Sequence, residues 1–464
     1  MTPPSSTAGS ILGNRVARTE DPRLLTGAAN YVADLRTEVA ALGAGEPLFA
    51  HFVRSEVAHG TIVSIDTDDA EAMPGVAAVW TAAELGIAAH HGFAKVHDDF
   101  ARAPLAEGKV RFVGEAVAVV LADSPTAAAD AAQAVWADID PLPAATDAEA
   151  ALADDAEPLY AGHPGNLAIG ESPDPELDLA ALSHTVVRGR YVNQRVNVAP
   201  MEPHGVAAAP APDGRLYVWP SNQFPHGVWR SLAGVLGIDT TDVRVITPQV
   251  GGGFGGKAGL QVEYTVVAAA ARRLDRPVVW VPTRTEDMQA MPHSRGQVQY
   301  AELGLDADGR FTGLRLRVVG DAGAYPTIGA FLPGGTRRMA PGPYAFPAYE
   351  CDVAVALTNT TPMGAYRGAG RPEATALLER LVDQAAHETG IDPIELRLRN
   401  LLADEAFPYT SPTGNVYDSG EYALPLRTAA EAVGYDALRA KQTARRTRGD
   451  TVQLGIGVAT YVEI

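Results

Sequence analysis

An α+β fold follows from three features of this 464-residue sequence. Short β-branched runs are separated by Gly, Pro and Asp turns, which marks strands. Ala-rich runs with good caps mark helices among them. The second region again mixes strands and helices, around two glycine-rich loops, and no repeat of fixed period runs through the chain.

The elements follow in order. Residues 1–20 are Pro/Ser/Thr-rich at the start and read as loose. β runs follow at Pro47 to Arg54, Gly60 to Ile65 and Val76 to Trp80, with a short helix, Thr67 to Met73, closed by Pro74-Gly75. The stretch Gly114 to Leu121 is an apolar strand. Ser124-Pro125 is a good N-cap and N1 pair for the Ala-rich helix Thr126 to Val135. A return strand, Trp136 to Ile139, ends at Pro141. The Asp/Glu/Ala-rich stretch from Ala145 to Glu157 reads as a linker.

Strands are then expected near Leu182 to Val192 and Gly205 to Ala208, with an Asp213-Gly214 turn before Arg215 to Trp219. A helix, His226 to Leu236, stops at Gly237. An extended apolar run, Val243 to Val250, enters the first glycine loop, and a helix, Gln261 to Leu274, leaves it. A hairpin joins Gln297 to Leu305 with Phe311 to Val319. Gly320 to Pro343 reads as long and irregular, which inside a compact domain has a functional reason. The helix Glu373 to Thr389 is amphipathic, and Asp392-Pro393 with Glu395 starts the next one.

The first loop is Gln249-Val250-Gly251-Gly252-Gly253-Phe254-Gly255-Gly256-Lys257. Five glycines leave the loop without side chains except at Phe254, so its backbone N–H groups can approach a ligand closely, and a following helix N-terminus favours oxyanions. Three readings compete. One is a plain flexible connection. Another is a phosphate loop, Gly251-x-x-x-x-Gly256-Lys257, although Ala258 lacks the Mg²⁺-binding hydroxyl. The third is a dinucleotide fingerprint on Gly251, Gly253 and Gly256, which alone is weak. The second loop, Thr361-Pro362-Met363-Gly364-Ala365-Tyr366-Arg367-Gly368-Ala369-Gly370-Arg371-Pro372, decides among them only together with the first.

Composition excludes several classes. The formal charge of −19 argues against nucleic acid or an anionic membrane as partner. The single cysteine, Cys351, rules out internal disulfides, a cysteine-based zinc site and any iron–sulfur cluster held by this chain alone. It sits in a strand-like run and reads as a buried structural thiol. No signal-peptide pattern opens the chain, and no apolar run approaches the roughly 18 residues of a membrane span. A cytoplasmic protein is expected.

The two loops, the segment Ser221-Asn222-Gln223 and the order of domains together resemble the large, molybdenum-cofactor-binding subunit of the xanthine oxidase family. That family includes aldehyde oxidases, carbon monoxide dehydrogenases and bacterial N-heterocycle hydroxylases. The resemblance covers nearly the whole chain. It implies an α/β hammerhead-like domain at 21–145, a linker at 146–160, a first molybdopterin-binding domain of mixed α/β type at 161–400, and an incomplete start of a second at 401–464. It also implies residue roles. Gln223 matches the glutamine that hydrogen-bonds an oxygen ligand of molybdenum. Phe254 and Gly255 match the pair whose amides approach an oxo group, beside Gly252 and Gly253. Arg367 matches the arginine whose backbone lies along the cofactor.

Departures from the family pattern narrow the substrate. Purine hydroxylases carry a glutamate where this chain has Ala258 and an aromatic where it has Ala369. Carbon monoxide dehydrogenases carry a copper-bridging cysteine where it has Gly368. The resemblance therefore implies a wide, mostly apolar pocket lined by Ala258, Gly368 and Ala369, for an aldehyde or an aromatic N-heterocycle. The reaction is a hydroxylation with water as oxygen source. The family's glutamate base belongs to a later segment; Glu463 is not at its position, and Gly455 to Ile464 reads as the opening strand of the second cofactor domain. The resemblance implies a molybdopterin cofactor, with a cytosine dinucleotide tail as in bacterial relatives. The resemblance also implies that electrons leave through [2Fe–2S] and FAD groups on separate small and medium subunits of a heterotrimer, with a further chain expected to supply the C-terminal half. The other readings are a truncated non-catalytic assembly partner and a P-loop-like nucleotide binder.

Overall fold

The computed structural model describes residues 13, 16–42, 45–163, 165–171 and 177–463. Two sheets organise it. The larger has seven strands, in the order Val243–Val245, Leu216–Pro220, Val206–Pro210, Val278–Trp280, Leu48–Arg54, Ala116–Ala122 and Val76–Trp80. Its middle pairing is parallel and joins Leu48 to Val278 and Phe49 to Val279. One sheet thus runs from the N-terminal region into the region of the glycine loop. The strand Ala116–Ala122 is buried on both faces, as its unbroken apolar sequence requires.

The helix Val262–Leu274 packs on this sheet with Val262 to Ala271 all buried. Trp280 and Phe52 meet edge to face at 5.4 Å beside it. The three-stranded sheet Lys109–Val110, Gly60–Asp66 and Trp136–Pro141 lies in the N-terminal region. The second large sheet has five strands, in the order Leu167–Glu171, Tyr349–Leu357, Phe311–Gly323, Gln297–Leu305 and Thr185–Asn193. The helix Arg371–Thr389 buries Leu377, Leu378, Leu381, Val382 and Ala385 in the same core. No helix among the described residues is long and apolar enough to cross a membrane.

Most predicted strands and helices form within a few residues of their expected bounds, and Cys351 is buried in the strand Tyr349–Leu357. Four stretches differ. The run into the glycine loop is a strand only at Val243–Val245. Pro248 has no N–H to give a ladder, and Gln249 N–H donates instead to Asn30 O at 3.1 Å. Gly320 to Pro343 is not irregular throughout. The hairpin strand continues to Gly323, and a helix spans Leu332–Met339 with Pro333 in its first turn. A Cβ on Gly335 would lie 2.8 Å from Ala369 O, so this helix packs directly on the second loop. Gly455 to Val462 forms no strand; side chains hold it instead, with Arg397 donating to Val458 O at 2.9 Å and Thr460 N–H to Glu379 Oε2 at 2.8 Å. The expected linker carries a helical turn, Ala148–Ala151, and bonds to Asn359 through both the N–H and C=O of Ala145.

Candidate cofactor site

Gln223 stands between the strand Leu216–Pro220 and the helix Pro225–Leu236. Buried Asn222 fixes that turn, accepting from Phe224 N–H at 2.7 Å and donating to Gly259 O at 2.8 Å. Gln223 then lies across the glycine loop. Its N–H donates to Lys257 O at 2.9 Å. Its Oε1 accepts from Gly255 N–H at 2.9 Å and Lys257 N–H at 3.3 Å. That leaves the exposed side-chain amide, Nε2, as a donor without an acceptor among the described residues.

The loop is shaped by positive φ at Gly252 (99°), Phe254 (50°) and Gly255 (103°). Only glycine adopts such values freely, so Phe254 is held against its preference by its surroundings. Arg367 N–H donates to Phe254 O at 2.8 Å, and the Arg367 guanidinium lies over the Phe254 ring at 5.4 Å. A Cβ on Gly255 would sit 2.8 Å from Ala365 O. The two loops are therefore in direct contact, and Gln223, Gly252, Gly253, Phe254, Gly255 and Arg367 come together. The N–H groups of Gly252, Gly253 and Phe254 have no acceptor among the described residues. The N–H of Gly255, expected to face a ligand, is instead taken by Gln223.

Lys257 contradicts the phosphate-loop reading. Its Nζ is buried, 3.0 Å from Glu202 Oε2 and 2.8 Å from Ser221 Oγ. Burial pushes its ammonium below the usual lysine range, against the pull of Glu202. Glu202 also accepts from Gly251 N–H at 2.8 Å and from Ser221 Oγ at 2.6 Å. This lysine fastens the loop from behind and cannot reach a phosphate in front of it. Next to it, His204 Nδ1 is 2.8 Å from Asp287 Oδ1 and its Nε2 is 3.2 Å from Gly256 O. Burial would raise the Asp287 carboxyl, but the bonds from His204 and the charge of Arg284 hold it below its ordinary range.

The second loop is braced from below by Arg295. Its guanidinium donates to Tyr366 O at 3.2 Å and Arg367 O at 2.7 Å, and pairs with buried Glu373 at 3.1 Å. Glu373 Oε2 also accepts from Gly370 N–H at 2.9 Å. Glu202, Asp287 and Arg295 escape a sequence reading because their partners are distant in the chain. Glu373 carried a weak signal, standing three residues after a glycine at a helix start.

Between the loops opens a cavity lined by Gly255, Ala258, Phe93, Tyr325, Ile328 and Ala365, among others. Ala258 lines it as expected. Ala369 does not: it faces a separate groove with Gly335 and Cys351. Gly368 packs on the Pro372 ring and lines neither. The three residues expected in one pocket are thus not brought together. Glu463 pairs with Arg371.

Free N–H groups on a loop whose one side chain between Gly251 and Gly256 is Phe254, next to a glutamine amide without an acceptor among the described residues, suit a group that presents oxygen or other acceptor atoms. The sequence profile of the molybdopterin cofactor-binding domain matches residues 160–401. The chain belongs to this molybdenum-cofactor family. The a/b hammerhead domain of aldehyde oxidase and xanthine dehydrogenase matches residues 26–143, ahead of it. Among curated relatives, the nicotine 6-hydroxylase large subunit of Paenarthrobacter nicotinovorans is 36% identical over 98% of this chain and 56% of its own length. The carbon monoxide dehydrogenase large chain of Hydrogenophaga pseudoflava is 35% identical, over 97% and 58%. The crystal structure of quinoline 2-oxidoreductase from Pseudomonas putida 86 superimposes with a TM-score of 0.87 at 36% identity, covering 94% of this chain and 56% of that one. The chain thus spans little more than half the length of these relatives.

Proposed function

We propose that this chain supplies the cofactor-cradling part of a molybdenum-dependent hydroxylase that acts on an aromatic N-heterocycle or an aldehyde, with water as the oxygen source. The observation that carries this reading is the set of unused donors on Gly252, Gly253, Phe254 and Gln223, gathered where the two loops meet. When bound, the molybdenum cofactor supplies the oxygen-transfer and two-electron chemistry. The chain's own residues bind and orient. Gln223 Nε2 and the Phe254 N–H donate to acceptor atoms of the group, in the roles the family resemblance gives them. Arg367 contributes its main chain, and its guanidinium shields the Phe254 ring. The two glutamates packed on the loops, Glu202 and Glu373, are committed to Lys257 and Arg295, so neither is the proton acceptor.

The cavity beside Ala258 is mixed rather than mostly apolar as expected, with His90, Arg102 and Gln261 among Phe93, Leu260 and Ile328, which suits a flat ring that carries a hydrogen-bonding atom. Two of the relatives above are named for aromatic N-heterocycles, nicotine and quinoline. A cytosine dinucleotide form of the cofactor, an iron–sulfur small subunit, an FAD medium subunit and a cytoplasmic location belong to the same proposal. So does a division into a domain at 21–145 and a cofactor domain at 161–400. The test is purification from the native host with its co-purifying chains, followed by molybdenum, iron and flavin analysis. Near-stoichiometric molybdenum that falls in a Gln223→Ala variant is the expected result. Folded complex without molybdenum would overturn the reading.

A further inference from the structure

We infer a second metal site, unrelated to the glycine loops, formed by His97, Asp99 and His163. One ligand atom from each lies within 4.8 Å of the others. Two imidazoles and a carboxylate form a donor set that takes a borderline divalent transition metal of the Zn²⁺ type, with water completing the sphere. A hard cation such as Mg²⁺ would call for oxygen donors instead.

The site rests on a firm base. His97 caps the short 3₁₀ turn Asp98–Phe100, which carries Asp99 on the same loop. Asp99 Oδ2 already lies 3.4 Å from His97 Nδ1. The third group arrives from a different loop. Phe100, almost fully buried, brings the two loops together: its ring packs on His163 at 5.0 Å and on Tyr160 at 5.1 Å. Tyr160 in turn donates to Ala324 O at 2.7 Å. The His163 ring is oriented by a 3.1 Å bond from Nε2 to Leu167 O, which leaves the other ring nitrogen its lone pair. Metal-binding histidines are commonly held this way, through one N–H on a backbone carbonyl.

The neighbouring cations have partners of their own: Lys95 pairs with Asp98, and Arg111 lies over the Tyr160 ring at 4.9 Å and donates to Tyr325 Oη. His97 and Asp99 are about half exposed, at 52% and 43% of their side-chain surface, so a metal has an entry path and its remaining positions can hold water. At His97 the competing bond, from Asp99 N–H to Nδ1, is long at 3.3 Å and open to solvent, so a metal displaces it at little cost.

Cobalt titration of the untagged, chelator-treated full chain tests this. One equivalent of Co²⁺ is expected to give a visible d–d spectrum that Zn²⁺ abolishes. His97→Ala and His163→Ala, each shown to be folded by its thermal transition, should lower the affinity at least tenfold, and Asp99→Asn less. His387→Ala, at an exposed histidine on the helix Arg371–Thr389, should leave it unchanged. Absence of the spectrum, or equal binding in both histidine variants, would overturn the site. Molybdenum content of the same samples is read separately, so this result stands or falls without regard to the glycine loops.

Discussion

Two neighbouring glycines of the first loop forbid a methyl group for different reasons. At Gly253 a Cβ would fall 2.4 Å from Gln223 Oε1, the end of a flexible side chain. Gly253→Ala should therefore push Gln223 aside at small cost in stability, and its signature is lost molybdenum in a protein whose melting temperature barely moves. At Gly255 the obstacle is backbone, Ala365 O at 2.8 Å, and φ is 103°. Gly255→Ala should cost about 1–3 kcal/mol in denaturant unfolding, since neither loop can yield locally. The lysine behind the loop makes a third case. Glu202→Ala leaves a buried ammonium with only Ser221 for company, and removing one member of a buried pair costs about 3–5 kcal/mol. A Glu202→Ala chain as stable as the parent by urea titration would show that Lys257 finds another acceptor.

At the scale of elements, two histidines packed against the loops have their charged form disfavoured by burial. His293 bonds Met288 O through Nε2 at 2.7 Å, and its own carbonyl accepts from Gly364 N–H. His90 lines the cavity beside Ala258. Burial depresses both below the ordinary histidine value of 6.5, with Arg102 opposing charge on His90 and Arg195 on His293, while backbone carbonyls work the other way. The unfolded chain then binds more protons than the folded one just below that value. Stability is full above pH 6.5 and falls as the pH drops through the lowered folded-state values. Thermal melts between pH 7 and pH 5 should show this slope, and a His90→Gln/His293→Gln variant should flatten it.

Elements were legible where local signals agreed with the fold. The hairpin Gln297–Leu305 with Phe311–Gly323 has a turn sequence and two apolar strands, and the helix Pro225–Leu236 has a proline at its start and a left-handed glycine at its end. The helix Leu332–Met339 was hidden, because Pro333, Gly334 and Gly335 depress propensity and only contact with the second loop explains them. The site was half legible for a similar reason. Gln223, Phe254 and Arg367 belong to recognisable stretches. Glu202 and Arg295 are single charged residues whose meaning is their distant partners, and the placement of Ala369 away from Ala258 depends on how the second loop turns at its glycines.

For the whole molecule, the seven-stranded sheet decides cooperativity. Phe52 from the N-terminal region and Trp280 from the later one share one core with Val119, Val206 and Tyr264. Regions 21–145 and 161–400 are therefore not expected to melt separately, and calorimetry should give one transition across them. Trp280→Ala should lower the stability of both together by about 3–5 kcal/mol, as for other buried large aromatics. Two resolved transitions, with only the later one shifted, would contradict a shared core.

The parallel pairing of Leu48 with Val278 also sets a timetable for biosynthesis. When the strand Leu48–Arg54 has been made, residues 55–277 still stand between it and its parallel neighbour, although Ala116–Ala122 can pair with its other edge earlier. At roughly 5–20 residues per second that strand waits on the order of ten to fifty seconds for its neighbour, with an unpaired edge on show. A nascent chain of this kind gains from a holding chaperone early in translation, and its cradle for the cofactor closes only after the strand Val278–Trp280 has emerged.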